Sequence, residues 1–433
     1  MTTRDIMKKI TLVAALCAVT IASFSQSLNK IINTASVERI EKILSADDMQ
    51  GRRSGTPGID KAADFISNEF KTIGLKTFNG LNGYKQTFQM ISAKSVSISA
   101  TFDNQLIDPK TIIAFTGVPE LKITQDSGYK KVYIKAGESA AQQVTKLLSS
   151  NENLLVVLDT SFARLFNRLG GLKRYRFKLN TNVVFVLTTA DPKQYEVTAV
   201  HEITETPMTN VIGILPGKRK KNEHVILSGH YDHLGIGKPV EGDSIYNGAN
   251  DDAAGTTAVI MLAKYFKALR NNKRTIVFAA FTAEEMGGFG SQYFSDQLDA
   301  ERVTAMFNIE MIGTESKWGK GSAYITGYEK TDMGKILEQN LKGTDFKFYP
   351  DPYPHQNLFY RSDNATLARL GVPAHTISTS KMDNEPFYHT VNDEFETLDI
   401  KNMTEIIKAI ALSSKSIIKG KDTPTRVNTA ELR

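Results

Sequence analysis

Seven consecutive residues, Thr275-Ile276-Val277-Phe278-Ala279-Ala280-Phe281, carry no charge and show no alternation of polar with apolar side chains. A strand with one wet face alternates, so an unbroken apolar run of this length predicts a strand covered on both faces. Covering both faces of a sheet takes helices on both, the three-layer solution of α/β proteins. The pattern around the run agrees. Residues 211–215, 225–227, 305–309 and 374–377 read as further strands, and 256–269, 292–298, 333–341, 365–370 and 400–418 as helices. The expected fold class is an α/β three-layer sandwich with a mixed, mainly parallel central sheet.

The chain before residue 207 divides by texture. Met7-Lys8-Lys9 followed by an apolar run from Ile10 to Phe24, too short for a membrane span, has the layout of a secretory signal peptide, with Ser23 and Ser25 at the cleavage positions. A leader over residues 1–25 therefore predicts an exported protein, periplasmic or secreted, with no stable membrane anchor after processing. Cys17 falls inside it, which leaves the mature chain without a thiol and excludes disulfides and cysteine catalysis. Residues 26–91 open with a helix and a loop, Gly51-Arg52-Arg53-Ser54-Gly55-Thr56-Pro57-Gly58, followed by apolar residues at helical spacing up to Gly74. Residues 92–206 hold short apolar or alternating runs and no carboxylate–histidine cluster, so we expect a β-rich inserted module. Residues 207–418 carry the alternating strands and helices, and 419–433 form a polar tail expected to fray. Loss of Arg4, Lys8 and Lys9 with Asp5 brings the net charge from +6 to +4, mild for this length and giving no indication of nucleic acid.

Asn247-Gly248-Ala249-Asn250-Asp251-Asp252-Ala253-Ala254-Gly255 leads into the apolar helix at 256–269. Paired carboxylates among small residues favour a cation approaching the backbone closely. His230 with Asp232, Glu284 with Glu285, and Glu310 each follow the carboxyl end of an expected strand, where open α/β sheets place their ligands. His389 supplies a further ligand type. Carboxylates and imidazoles at the ends of rigid elements are the parts of a metal site.

Five stretches carry a resemblance: Gly229-His230-Tyr231-Asp232-His233-Leu234-Gly235, Asn247 to Gly255 as above, Phe281-Thr282-Ala283-Glu284-Glu285-Met286-Gly287, Asn308-Ile309-Glu310-Met311-Ile312-Gly313, and Tyr388-His389-Thr390-Val391-Asn392-Asp393. In this order they resemble the M28 family of zinc exopeptidases, and the Gly51–Gly55 loop is similar to that family's opening. The likeness covers the first segment and 207–418, not the insert. It implies a zinc exopeptidase-like fold, a peptide substrate and two Zn2+ ions per chain, with Co2+ or Mn2+ able to replace them. By resemblance Asp251 bridges the ions, with a cis Asp251–Asp252 peptide. His230 and Glu310 complete one ligand set, and Glu285 and His389 the other. Asp232 and Asp252 support these ligands from behind. Glu284 is implied as general base and acid, and Tyr388 as the phenol facing the oxyanion.

Glu310 departs from the family pattern, which has Asp there; Glu is one methylene longer. Arg361 and Asp363 sit in a stretch that relatives turn toward the substrate, Arg361 suited to a carboxylate and Asp363 to an amine. His233 reads as a loop residue beside the site, His201 and His224 as surface or strand-edge residues, and His355 and His375 as structural or pocket-lining. The expected activity is an exopeptidase, an aminopeptidase first and a carboxypeptidase-like enzyme second. A single-zinc glutaminyl cyclase-like transferase is disfavoured by the pair His230 and Asp232, and a non-catalytic receptor-like module by the complete ligand set with its base. Oligomeric state is left open by the sequence.

Overall fold

The computed structural model describes residues 28–432 apart from 79, 174 and 179. The expected leader with Cys17 lies outside the described residues. Two compact units result, one built from the chain up to Thr87 and from Met208 onward, the other from Phe88–Pro207.

In the first unit the helices α1 (Thr34–Leu44) and α2 (Pro57–Ile73) come before the strands. Strand β1 (Tyr195–Leu215) returns the chain from the second unit. It leads through β2 (Lys220–His230), α3 (Ala254–Leu269), β3 (Arg274–Phe281), α4 (Phe289–Asp296) and β4 (Val303–Ile309). The remaining elements are β5 (Ser322–Ile325), α5 (Met333–Asn340), β6 (Lys347–Pro350), α6 (Asn364–Ala368), β7 (Ala374–Ser378) and α7 (Ile400–Ser413). The sheet order is β6-β5-β7-β4-β2-β3-β1. Four of the six pairings are parallel; β5–β7 and β3–β1 are antiparallel. This is the mixed, mainly parallel sheet read from the sequence.

All eight residues of β3 are buried. Ile276, Phe278 and Ala280 pack into one core with α1, α2, α3 and α7, while Val277, Ala279 and Phe281 pack into another with Phe294 of α4 and Leu367 of α6. Both faces are covered, which is why the run never alternates. Helix α3 is buried over most of its surface because it lies between the sheet and the other helices. Helix α2 starts with Pro57 in its first turn and stops at Gly74, φ +77°, whose N–H reaches Lys71 O and Phe70 O. A residue with a Cβ resists that left-handed stop, and the helix ends where glycine permits the turn.

The second unit is β-rich, as read, and adds a crossover. Its four-stranded sheet pairs Lys130–Ile134 with Leu154–Leu158 in parallel, and Leu154–Leu158 in parallel with Val183–Leu187. Helix Ala140–Leu148 connects the first two, so the β-rich insert contains a β-α-β unit. The unit also begins at Phe88 rather than at 92, because strand Lys85–Phe102 runs through the change of texture. In the first unit the polar tail does not fray. Arg274, buried in the sheet, donates to Asp422 O and to Thr423 Oγ1, and Val427 is buried. None of the described helices is long and apolar enough to cross a membrane.

Candidate metal centre

Three parallel strands end together. Register pairs His230 at the end of β2 with Phe281 at the end of β3, and Glu310 N–H bonds Ile377 O just past β4. Asp251 arrives from the turn before α3. The close approach rests on glycine: a Cβ on Gly255 would stand 2.0 Å from Ile309 O and 2.4 Å from Asp252 Oδ2. The Asp251–Asp252 peptide is cis. Ala283, Met311 and His389, neighbours or members of the site, all have positive φ without being glycine. That conformation costs about 1 kcal/mol per residue and is a mark of functional loops.

Asp251 presents one oxygen to each half of the site. Its Oδ1 is 3.2 Å from His230 Nε2, and its Oδ2 is 3.2 Å from His389 Nε2. His389 Nε2 is also 3.2 Å from Glu285 Oε2. Donor atoms of His230, Asp251 and Glu310 lie within 4.8 Å of one another, as do those of His233, Asp251 and Glu285. His233, read as a loop residue from the sequence, thus joins the cluster, with Nδ1 2.9 Å from Glu285 Oε1. Its spacing of three from His230 was the only signal available.

The donor set fits divalent metal. His230 Nε2, His389 Nε2, Glu285 Oε1, Glu310 Oε2 and both His233 nitrogens are buried without a well-formed hydrogen bond among the described residues. Polar atoms are not left so unless something else satisfies them. Zinc–nitrogen and zinc–oxygen bonds of about 2.0 Å imply tetrahedral ligand–ligand separations of roughly 3.3 Å, close to the 3.2 Å seen here. Electrostatics agrees. Burial alone would lower His389, but the close carboxylates of Asp251 and Glu285 outweigh it and raise its pKa to about 10. Burial likewise opposes charge on His230, and Asp251 with the surrounding acids raises it well above the ordinary value. Asp251 shows the reverse: burial pushes it up, and the bonds from His230 and His389 hold it well below the carboxylate range. The site demands positive charge, and without metal the imidazoles supply it as protons.

Supporting residues hold the ligands in place. Asp252 accepts from the N–H groups of His230, Gly255 and Met311 at 3.2, 3.0 and 3.0 Å, tying β2, α3 and β4 together. Asp232 does not orient the imidazole with its carboxylate, which stands 3.7 Å from His230 Nδ1; its main-chain carbonyl does so at 3.1 Å. The Asp232 carboxylate instead accepts from the N–H of Glu284 at 3.1 Å and of Glu285 at 3.4 Å. Burial raises Glu284 well above its usual value and Glu310 to about 7.

Two residues escaped sequence reasoning. Arg52 is fully buried, and its guanidinium donates to Tyr231 O, Leu44 O, Asn247 O and Gly248 O at 2.9, 2.6, 2.5 and 2.8 Å. Asp393 accepts from the N–H groups of Asn250 and Asp251 at 2.8 and 3.0 Å.

Two cavities flank the cluster. One, of about 40 Å3, is lined by Glu310, Tyr388, Met311, Tyr324 and Arg361. Tyr388 stacks on His389 at 3.9 Å. Arg361 is exposed and bonds Gln356, whereas Asp363 is 1% exposed and does not line this cavity. The other, of about 370 Å3, is lined by Glu285, His389, Arg53, Ile236, Tyr246 and Met286 among others. His375 lines neither: it is buried and bonded to Thr326 O and Thr331, and burial lowers it to about 4. His355 is exposed and paired with Asp383.

Residues 210–413 match the profile of peptidase family M28. That stretch, a little under half of the chain, is an M28 peptidase domain. Among similar proteins, the chain is 23% identical over 231 residues to aminopeptidase YwaD of Bacillus subtilis, covering 52% of this chain and 48% of that protein. It is 27% identical to leucine aminopeptidase 1 of Aspergillus niger, covering 61% and 70%. The chain thus spans about half the length of the first of these relatives and 70% of the second. Its fold resembles the aminopeptidase from Aneurinibacillus sp. strain AM-1, with a TM-score of 0.54, 19% identity, and coverage of 90% and 95%. An M28 peptidase precursor from Shewanella amazonensis gives 0.53 at 16% identity, covering 95% and 99%.

Proposed function

We propose that this M28 protein is an exported zinc aminopeptidase holding two ions, one on His230, Asp251 and Glu310, the other on Asp251, Glu285 and His389. The observation that carries this reading is Asp251, which turns one oxygen to His230 and the other to His389. When bound, zinc polarises the scissile carbonyl and lowers the pKa of a water. The chain's own residues do the rest. Glu284, fixed through its N–H on Asp232, takes the proton from water at its carboxylate and returns it to the departing amine nitrogen. Tyr388, stacked on His389, donates its O–H toward the oxygen on which charge develops.

The cavities support the amino end as the site of attack. The smaller one is narrow and walled in part by the buried residues Met311, Tyr324, Thr376 and Ser378. The larger one has exposed walls at Arg53 and Ile236 and lets a chain continue. The names of the relatives point the same way. Arg361 on the smaller cavity favours a carboxypeptidase-like second reading, since a guanidinium there suits a carboxylate. The complete set His230, Asp251 and Glu310 weighs against a single-zinc transferase or a receptor-like module.

A peptide panel with free or acetylated N-termini, with and without chelator, tests the reading. Chelator-sensitive cleavage of the free-amine members alone is expected. Cleavage of acetylated members shifts the assignment to the carboxyl end and to Arg361. Export rests on residues 7–25 of the sequence, and sequencing the N-terminus of protein recovered outside the cytoplasm tests it, with Gln26 expected first.

A further inference from the structure

We infer that Arg53 receives the free carboxylate of short peptides on the leaving-group side, so that the protein favours substrates whose chain ends one or two residues beyond the scissile bond. The inference rests on the aminopeptidase reading and adds to it which peptides are preferred.

Arg53 lines the larger cavity, opposite Glu285 and His389. Its main chain is held on both sides. Arg52 is fastened to four carbonyls. Ser54 is buried, shares a hydrogen bond with Thr282 Oγ1 at 2.9 Å and accepts from Ala283 N–H at 3.0 Å. Thr282 and Ala283 lead directly into Glu284 and Glu285, so the position of Arg53 is set relative to the reacting groups by short bonds. Its own side chain is exposed and forms no ion pair among the described residues.

A guanidinium on a fixed backbone, facing a cavity beside a metal centre and lacking a carboxylate of its own, is a receptor for one. Part of the remaining wall is apolar: Leu234, Ile236, Tyr246 and Met286 line it, with Ile236 54% exposed. The cavity thus suits a leaving residue with an apolar side chain and a terminal carboxylate at the Arg53 end. Of the acids lining the cavity, Glu285 is engaged with His233 and His389, and Asp232 with the N–H groups of Glu284 and Glu285.

The test compares Leu-Leu and Leu-Leu-Leu with their C-terminal amides on the zinc-loaded protein. The free acids should be preferred in kcat/KM by about tenfold or more at one of the two lengths, mostly through KM, as expected for a charge-assisted hydrogen bond. Arg53→Gln should bring the ratio of acid to amide near one, and Arg53→Lys should restore part of it. A ratio near one in the parent at both lengths overturns the inference, and so does a preference that Arg53→Gln leaves intact. The same peptides are titrated by calorimetry into zinc-loaded Glu284→Gln protein. If no peptide is cleaved, the aminopeptidase reading falls, while tighter binding of acids than amides, abolished by Arg53→Gln, still decides the role of Arg53.

Discussion

Replacing Arg52 with methionine tests whether one buried guanidinium holds the ligand-bearing turns together. Methionine keeps most of the apolar stem and removes five donors. Of the four carbonyls that Arg52 serves, Gly248 O retains a second donor, the Ala253 N–H at 3.2 Å. Those of Tyr231, Leu44 and Asn247 lose theirs in a buried setting. At about 1–3 kcal/mol for each buried group left unsatisfied, the loss is roughly 3–9 kcal/mol, against a total stability of about 5–15 kcal/mol for a typical domain. The damage is also local. Tyr231 follows His230, and Asn247 and Gly248 precede Asp251, so the two segments should drift and zinc should bind less tightly. Denaturation of metal-free protein measures the first effect, and zinc competition with a chelator measures the second. Ile66→Ala in α2, fully buried in the same core, serves as the control. It should cost about 2–5 kcal/mol as a cavity without altering zinc affinity in the folded fraction. If Arg52→Met costs less than about 1 kcal/mol, or if its zinc affinity matches that of Ile66→Ala, the positioning role is refuted.

Three further expectations follow from the same geometry. Glu284→Gln should keep the parent's zinc content by atomic absorption and lose turnover by about 100- to 10,000-fold; near-parental turnover removes Glu284 from the role of base. Burial raises Glu41 to about 8, against an ordinary 4.5, so the native state binds more protons across that window and stability falls as pH rises through it. Denaturation of Glu41→Gln at pH 5 and pH 9 should show a flatter slope than the parent, and an unchanged slope counts against the buried charge. Zinc binding at pH 7 should release more than one proton, because His230 and His389 hold protons in the metal-free protein; calorimetry in buffers of different ionisation enthalpy reads the number, and no release would contradict the raised values.

The legible parts of this chain were those whose chemistry is local in sequence. The apolar run of β3 declares a doubly covered strand because burial on both faces removes alternation. Residues at strand ends stood out because a carboxylate or imidazole bordering an apolar run has few structural uses. Arg52 was illegible for the opposite reason. Its partners are main-chain carbonyls up to 196 residues away, and a carbonyl leaves no mark on the side-chain sequence. Asp393 is hidden likewise, acting on the amides of Asn250 and Asp251. In the insert the β-rich reading holds and the parallel pairing went undrawn: Leu154-Leu155-Val156-Val157-Leu158 is as unbroken as β3, and all five residues are buried. The criterion that predicted a parallel sheet after residue 207 applied there as well. The tail was misread because Arg274 anchors it from within a strand.

The deepest constraint on the site is its charge. Asp232, Asp251, Asp252, Glu284, Glu285, Glu310, Asp363 and Asp393 gather around one buried guanidinium and the imidazoles of His230, His233 and His389. So many carboxylates cannot all ionise in a space removed from water unless cations enter with them. Without metal the surplus is met by protons: burial raises Asp232 to about 7, Asp363 to about 6 and Asp393 to about 6, while His230 and His389 stay charged. Protons on His230 and His389 are lost when a divalent ion supplies the charge instead. Folding of the first unit, its protonation and its zinc binding are therefore linked equilibria. Substitutions like Arg52→Met, which touch no metal ligand, should therefore still weaken zinc, because they loosen the main chain on which the ligands stand.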